Sequence, residues 1–170
     1  MLSQRVRGLT ISLCLLLTAC AAHTPVPQTA PKLPSQLPLT LQIERQATDG
    51  PQTWLLVIQA QRSALRWSLF DPMGTPLSRQ NLIAGVWHDE GLLPPNPPAR
   101  ELFAAILFAL SPAASLAESY PAHSWKLIND RQRELSPDWR ISYSEPLDFT
   151  LETNAQVRYH VTRIASDEKP

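Results

Sequence analysis

The stretch that decides the fold is Asn96-Pro97-Pro98-Ala99-Arg100-Glu101-Leu102-Phe103-Ala104-Ala105-Ile106-Leu107-Phe108-Ala109-Leu110. Asn96 is suited to cap a helix, and two prolines fit its first turn, where the missing N–H groups have no partner to lose. After Glu101 no polar residue appears until Ser111, and Leu102, Phe103, Ile106, Leu107, Phe108 and Leu110 run nearly all the way round the helical wheel. A helix with no polar face must be covered on most sides. The chain around it therefore has to supply a wall.

On both sides the pattern is that of strands. Leu39, Leu41 and Ile43 alternate with polar residues, and after the turn Asp49-Gly50-Pro51 the run Trp54 to Gln59 is apolar on both faces. Leu65, Trp67 and Leu69 then share one face of a third strand. Asp71-Pro72-Met73-Gly74 reads as a β-turn, a fourth strand runs from Leu77 to Leu82, and a fifth lies around Val86-Trp87-His88. Beyond the helix, Ser111-Pro112 is expected to cap a second short helix reaching about Ser119. Strands resume at Trp125 to Ile128, at Leu135 after an exposed loop Asp130 to Glu134, and at Trp139 to Tyr143. A closing hairpin runs from Phe149 to Ile164 across Asn154-Ala155, with Phe149, Leu151, Val157, Tyr159 and Val161 inward. The expected class is mainly β with a helical lid (α+β): antiparallel strands, one long helix and one short one.

The chain has 170 residues, enough for one ordinary domain. Its 15 basic and 15 acidic side chains balance, so it carries no electrostatic footprint for nucleic acid. Two cysteines provide neither a disulfide scaffold nor a four-thiolate metal site. His23, His88, His123 and His160 are far apart, and none has a helical partner at metal-ligand spacing. His88-Asp89-Glu90 suggests a base with carboxylates, but neighbours on a strand face opposite ways, and a solvated turn is the plainer reading. No Gly-x-Ser-x-Gly or phosphate-cradling loop is present. Neither a metal, a cofactor nor a catalytic residue is expected.

The N-terminus carries the most specific signal. Arg5 and Arg7 precede the apolar run Leu9 to Leu17, too short to span a bilayer and typical of an export signal. Leu17-Thr18-Ala19-Cys20 looks like the bacterial lipobox, and that resemblance implies cleavage after residue 19 and acylation of Cys20; the alternative is an ordinary thiol after a plain secretory signal. Cys14 leaves with the signal. Two or more acyl chains hold a protein stably on a membrane, at about 0.8 kcal/mol per buried methylene. Ala21 stands where an aspartate would retain a lipoprotein in the inner membrane, which points to the outer membrane, facing the periplasm, reached through the lipoprotein export machinery. Cleavage removes Arg5 and Arg7 and no acid, leaving 13 basic against 15 acidic side chains, a net charge of −2, so the lipid does the anchoring. Residues 21–38 hold five prolines and no glycine. They are expected to form an extended tether reaching roughly 50 Å, at about 3.1 Å per residue, ahead of a domain at 39–166. A proline-motif ligand is the sharper and less economical reading.

The order of strands, helical pair and strands resembles the LolA/LolB lipoprotein-carrier family, an unclosed antiparallel β-barrel capped by helices, and is similar to an uncharacterised family of small proteobacterial lipoproteins with that expected fold. Three stretches carry the likeness. Leu69-Phe70-Asp71-Pro72-Met73-Gly74 is similar to a LolB strand and loop, Ala99 to Pro112 takes the place of its helical lid, and Trp139 to Tyr143 with the hairpin from Pro146 to Ile164 resembles its last strands. The chain departs from LolB in having proline-rich Leu92 to Pro98 instead of a strand before the lid, and Met73 in place of an exposed leucine. The resemblance implies binding or transfer of a lipid or acylated molecule, in traffic of a glycolipid, an aryl polyene-type lipid or a lipoprotein. Trp54, Leu56, Ile58, Leu65, Trp67 and Leu69 from the sheet and Phe103, Ile106 and Leu107 from the helix would line the cavity, and Met73 would sit on a membrane-insertion loop. Each of these residues also reads as ordinary core, and Met73 as a singly exposed apolar side chain. A structural or interaction lipoprotein with a filled core remains open at this point, as does, more weakly, a hydrolase.

Overall fold

The structure, a computed structural model, describes residues 23–33 and 36–164. The expected export signal and the expected acylation site, Cys20, lie outside the described residues. Five strands come first: β1 (Leu39–Gln46), β2 (Gln52–Gln61), β3 (Ala64–Phe70), β4 (Pro76–Ile83) and β5 (Val86–Asp89). Helix α1 (Pro97–Leu110), a 3-10 turn (Ala113–Ser115) and the single-turn α2 (Leu116–Ser119) follow. Among the described residues five more strands follow: β6 (Trp125–Asn129), β7 (Gln132–Leu135), β8 (Trp139–Glu145), β9 (Asp148–Glu152) and β10 (Arg158–Arg163).

All ten strands form one antiparallel sheet in the order β5-β4-β3-β2-β1-β10-β9-β8-β7-β6. The two ends of the chain's strand set meet at the centre, where β1 pairs with β10 (Ile43 opposite Val161), and β5 and β6 are left as unpaired edges. The result is an open, barrel-like α+β fold. One rim carries the turns 47–51, 71–75 and 153–157 and the loop 90–96, as the pairings Arg45 with Gln52, Phe70 with Pro76 and Gln80 with Asp89 require. The opposite rim carries the turns 62–63, 84–85, 130–131 and 146–147.

Helix α1 occupies the interior. Ala99 and every residue from Leu102 to Leu110 are buried, against Leu41, Ile43, Leu56, Ile58 and Trp67 on one side of the sheet and Ile141, Phe149, Leu151 and Val161 on the other. This is the covering that an all-round apolar helix demands. Asn96 caps it as expected: its Oδ1 accepts the Ala99 N–H at 3.1 Å while its Nδ2 donates to Leu77 O at 3.2 Å, tying the helix start to β4.

Three local expectations are corrected. Ser111 does not cap the second helix but closes the first, its N–H donating to Phe108 O and its hydroxyl to Leu107 O at 2.8 Å; Pro112 forces the residue before it into extended backbone, so the buried hydroxyl turns back. The last hairpin turns through Thr153 to Val157 and not across two residues, with Gln156 at φ 59° and Val157 outside the strand. The loop expected at Asp130 to Glu134 is only Asp130-Arg131, because Gln132 to Leu135 pair with β8.

The proline-rich segment is the larger surprise. Residues 23–33 have no regular secondary structure, yet they are docked against the domain, where a free tether was expected. Thr24 is buried, its N–H donating to Glu101 Oε2 at 2.6 Å and its hydroxyl accepting from Trp139 Nε1 at 2.8 Å. Gln28 N–H donates to Ser119 O at 2.7 Å, and the Thr29 and Ser119 hydroxyls lie 2.9 Å apart. Pro27 is buried beside the 84–85 turn, and Val26, Leu33 and Leu37 pack on the core. These residues form a strap. Its three prolines favour an extended path, and the N–H groups of Thr24 and Gln28 donate to the domain. Replacing Thr24→Val leaves the buried Trp139 indole N–H without an acceptor and should cost about 1–3 kcal/mol. The measurement is the urea midpoint at unchanged m-value; an unchanged midpoint would show the strap undocked in solution.

Candidate functional site

At the rim where α1 begins, a cleft of about 710 Å³ opens between the helix and the sheet. Its apolar wall is Trp54 and Leu69 from β2 and β3, Leu77 from β4, Ala99 and Leu102 from α1, and Tyr159 from β10. Arg45, Asp49 and Asp71 stand at its edge. Alternation along the strands explains the placement: Leu69 faces inward with Trp67, Trp54 lies across from Ile43, and Tyr159 lies across from Leu151. Trp54, Tyr159 and Trp139 form an aromatic row, with ring centroids 6.3 Å and 6.0 Å apart in turn.

The polar edge is internally matched. Arg45 Nη1 donates to Asp49 Oδ1 at 2.7 Å and its guanidinium lies 6.0 Å from the Trp54 ring. The hydrogen bond from Arg45 holds the Asp49 carboxyl below the usual carboxylate range. Asp71 is lowered too, chiefly because its carboxylate accepts the Thr75 N–H at 2.8 Å, with the Met73 N–H at 2.9 Å adding to the effect. Burial pushes the Tyr159 hydroxyl up. These bonds lock the 71–75 turn with Gly74 at φ 82°, a left-handed conformation suited to glycine, and they stand Met73 out at 89% exposure.

Of the nine residues expected to line a cavity, the structure brings only Trp54 and Leu69 to the cleft. Leu56, Ile58, Trp67, Phe103, Ile106 and Leu107 are 0% exposed and packed, and Leu65 is half-buried against the core's edge. Those six pack in the core, and α1 lies in the space between the walls of the sheet. Trp67 stacks against Phe103 and edge-on against Trp87, at 5.5 Å and 5.6 Å between centroids. Leu77, Leu102 and Tyr159 were the lining residues that the sequence reading did not single out. Leu102 and Tyr159 already lay on faces read as buried, and what was missing was where along the barrel α1 begins.

The carboxylates beside His88 are engaged with arginines. Glu90 accepts from Arg66 through both oxygens, and Asp89 accepts from Arg100 Nη2 at 3.1 Å and 3.2 Å. A polar cleft of about 440 Å³ between the starts of β6 and β8 is lined by His123, Lys126, Glu134, Asp138 and Arg140, among others. No group of three or more His, Cys, Asp or Glu side chains among the described residues is placed to hold a metal.

The far end of α1 is tied down. Tyr143 donates its hydroxyl to Ala109 O and Arg133 donates Nη1 to Ser111 O, both at 2.8 Å, and the Arg133 guanidinium lies 4.9 Å from the Tyr143 ring.

An open antiparallel half-barrel closed on a single apolar helix, with a cleft at one rim, is thus the class of protein that the fold defines. The match to the family model extends over residues 39–163, and the chain belongs to this family, DUF3261, described as proteins of unknown function. No curated protein matches the sequence at a significant level.

The helix tie has a pH consequence. Burial raises the Tyr143 pKa to about 12 and raises that of Tyr120 as well. Groups whose folded pKa exceeds the unfolded value near 10 contribute stability that is complete below pH 10 and is lost as pH climbs toward 12. For Tyr143 the loss should reach up to about 3 kcal/mol, at about 1.4 kcal/mol per unit. Urea midpoints should change little from pH 9 to pH 10 and then fall toward pH 12, less steeply in Tyr143→Phe; equal slopes above pH 10 would contradict the assignment.

Proposed function

We propose that this protein is an outer-membrane lipoprotein, anchored through acylated Cys20 and facing the periplasm, that takes one acyl chain or a lipidated molecule into the cleft and transfers it without catalysis. The relation to LolA/LolB-type carriers is part of the proposal, supported by the open barrel and the helix inside it. The observation that carries it is the cleft itself: a space of about 710 Å³, in the size range of small-ligand sites, with one apolar wall and a polar edge, continuous with the N-terminal turn of α1. Withdrawal of that turn exposes Leu102 and Phe103, and an incoming chain replaces one apolar partner by another, at about 0.8 kcal/mol per methylene buried. The helix start borders the cleft and is held through Asn96, the exposed Arg100–Asp89 pair and Glu101, and opening is proposed to take place there. The cargo, whether glycolipid, aryl polyene-type lipid or lipoprotein, is selected by the chain it offers.

A second reading has its own observation. Six of the nine expected lining residues are packed at 0% exposure, which suits an interaction lipoprotein with a filled core that docks an envelope assembly through its surface.

Uptake separates the two. The mature Cys20→Ser chain should bind an apolar fluorescent probe at one per chain, and Trp54→Glu or Leu77→Glu, both half-buried at the cleft, should weaken it at least tenfold while circular dichroism stays unchanged. No uptake by the parent chain overturns the carrier reading and leaves the interaction reading.

A further inference from the structure

The two unpaired edges of the sheet differ. β5 runs for four residues, and Asp89 at its end is paired with Arg100 at 3.1 Å. The strap lies beside the 84–85 turn that leads into it, with the Pro27 carbonyl oxygen 3.0 Å from where a side chain on Gly85 would begin. β6 has no such cover. Lys126, Leu127, Ile128 and Asn129 are all exposed, and among the described residues no hydrogen bond reaches their backbone from outside the sheet. A free strand edge is a row of N–H and C=O groups able to pair with another chain.

The outer face of the sheet gives that edge a charge preference. Arg158, Glu152, Arg140, Glu134 and Lys126 stand directly opposite one another in turn, from β10 through β9, β8 and β7 to β6. The row alternates in sign and stops on a cation at the edge. Its β10 end is bonded, Arg158 Nε donating to Glu152 Oε1 at 2.7 Å. Arg140, Glu134 and Lys126 line the polar cleft of about 440 Å³ and make no ion pair among the described residues. On the other face of β6, Trp125 packs at the border of the core and Leu127 is 44% exposed. Trp125 to Leu127 keep regular register with β7, which shifts only beyond Leu127.

We infer that the free edge of β6 is a protein-docking site: it takes an extended segment of another protein as a further strand, with an acidic side chain opposite Lys126 and apolar side chains on either side of that acid, next to Trp125 and Leu127. Backbone pairing supplies the affinity, and the side chains select the partner. An acid at this position continues the alternating row, and opposite charges placed directly across a pair of strands stabilise it where like charges destabilise it. Lys126 is the one charged residue of Trp125–Asn129, so a second copy of β6 brings no acid to meet it. A lysine on an edge also deters pairing with strands that offer no counter-charge. The inference gives the interaction reading a surface, and it depends neither on acylation of Cys20 nor on uptake by the rim cleft.

The test uses the mature Cys20→Ser chain and short fluorescent peptides with a central glutamate or lysine, valine on either side of it and threonine beyond. Fluorescence anisotropy should show the glutamate peptide binding several-fold tighter than the lysine peptide, by a margin that narrows in high salt. Lys126→Ala should abolish the preference and Lys126→Glu should invert it, with circular dichroism that of the parent. With the glutamate peptide bound, amide hydrogen exchange should slow in Trp125–Asn129 and stay unchanged in Val86–Asp89. Equal binding of the two peptides, binding of neither, a preference that survives both Lys126 variants, slowed exchange at β5 in place of β6, or self-association through β6 in place of peptide binding overturns the inference. Apolar-probe uptake is read separately: uptake without peptide binding removes the docking edge and leaves the carrier reading, and peptide binding without uptake does the reverse.

Discussion

The structure depends on one constraint, the burial of a helix that has no polar face. From Leu102 to Leu110 α1 offers only apolar side chains, and all of them are buried. Each large one contributes about 1.5–3 kcal/mol when fully removed from water. No flat sheet can cover such a helix, because a sheet touches one stripe. A curved sheet of ten strands can, and the curvature leaves β5 and β6 unpaired on either side of the opening. Barrel closure would remove those edges; here they border the opening.

An open barrel must manage its gap, and here it does so with chain that looks least structured. The strap crosses from the cleft rim to the opposite rim and gives its polar groups to α1, α2 and β8. Proline suits this position twice over: it fixes an extended path at low entropic cost, and it removes N–H groups that a strap outside any sheet would leave unsatisfied. The start of the strap at Thr24, the cleft and the exposed side chains of Met73 and Leu92 share one rim of the barrel.

Much of this was legible in the residues. Strand alternation placed β1 to β6 and β8 to β10, and Asn96-Pro97-Pro98 marked the start of α1, because those signals are local. Met73 was legible as a turn tip for the same reason. The sequence could not separate a plug from a lid. Trp67, Phe103 and Ile106 read identically whether they line a cavity or fill one, since only the depth to which α1 sinks distinguishes the two. Nor could it place the strap: the Thr24–Trp139 bond joins residues 115 positions apart and leaves no periodic trace. Residues 23–33, expected as part of a free tether, lie docked because composition reports stiffness and says nothing of what a stiff segment lies against.

The central claim is that the cleft beside α1 accepts an acyl chain at the membrane. Native mass spectrometry of the mature protein, extracted from its own membrane in mild detergent, tests it most directly. The account predicts a species heavier than the acylated chain by one acyl-containing molecule, released when the complex is collisionally activated. A spectrum holding only the chain with its own Cys20 acyl groups, under conditions that retain lipid on a known carrier, would contradict it.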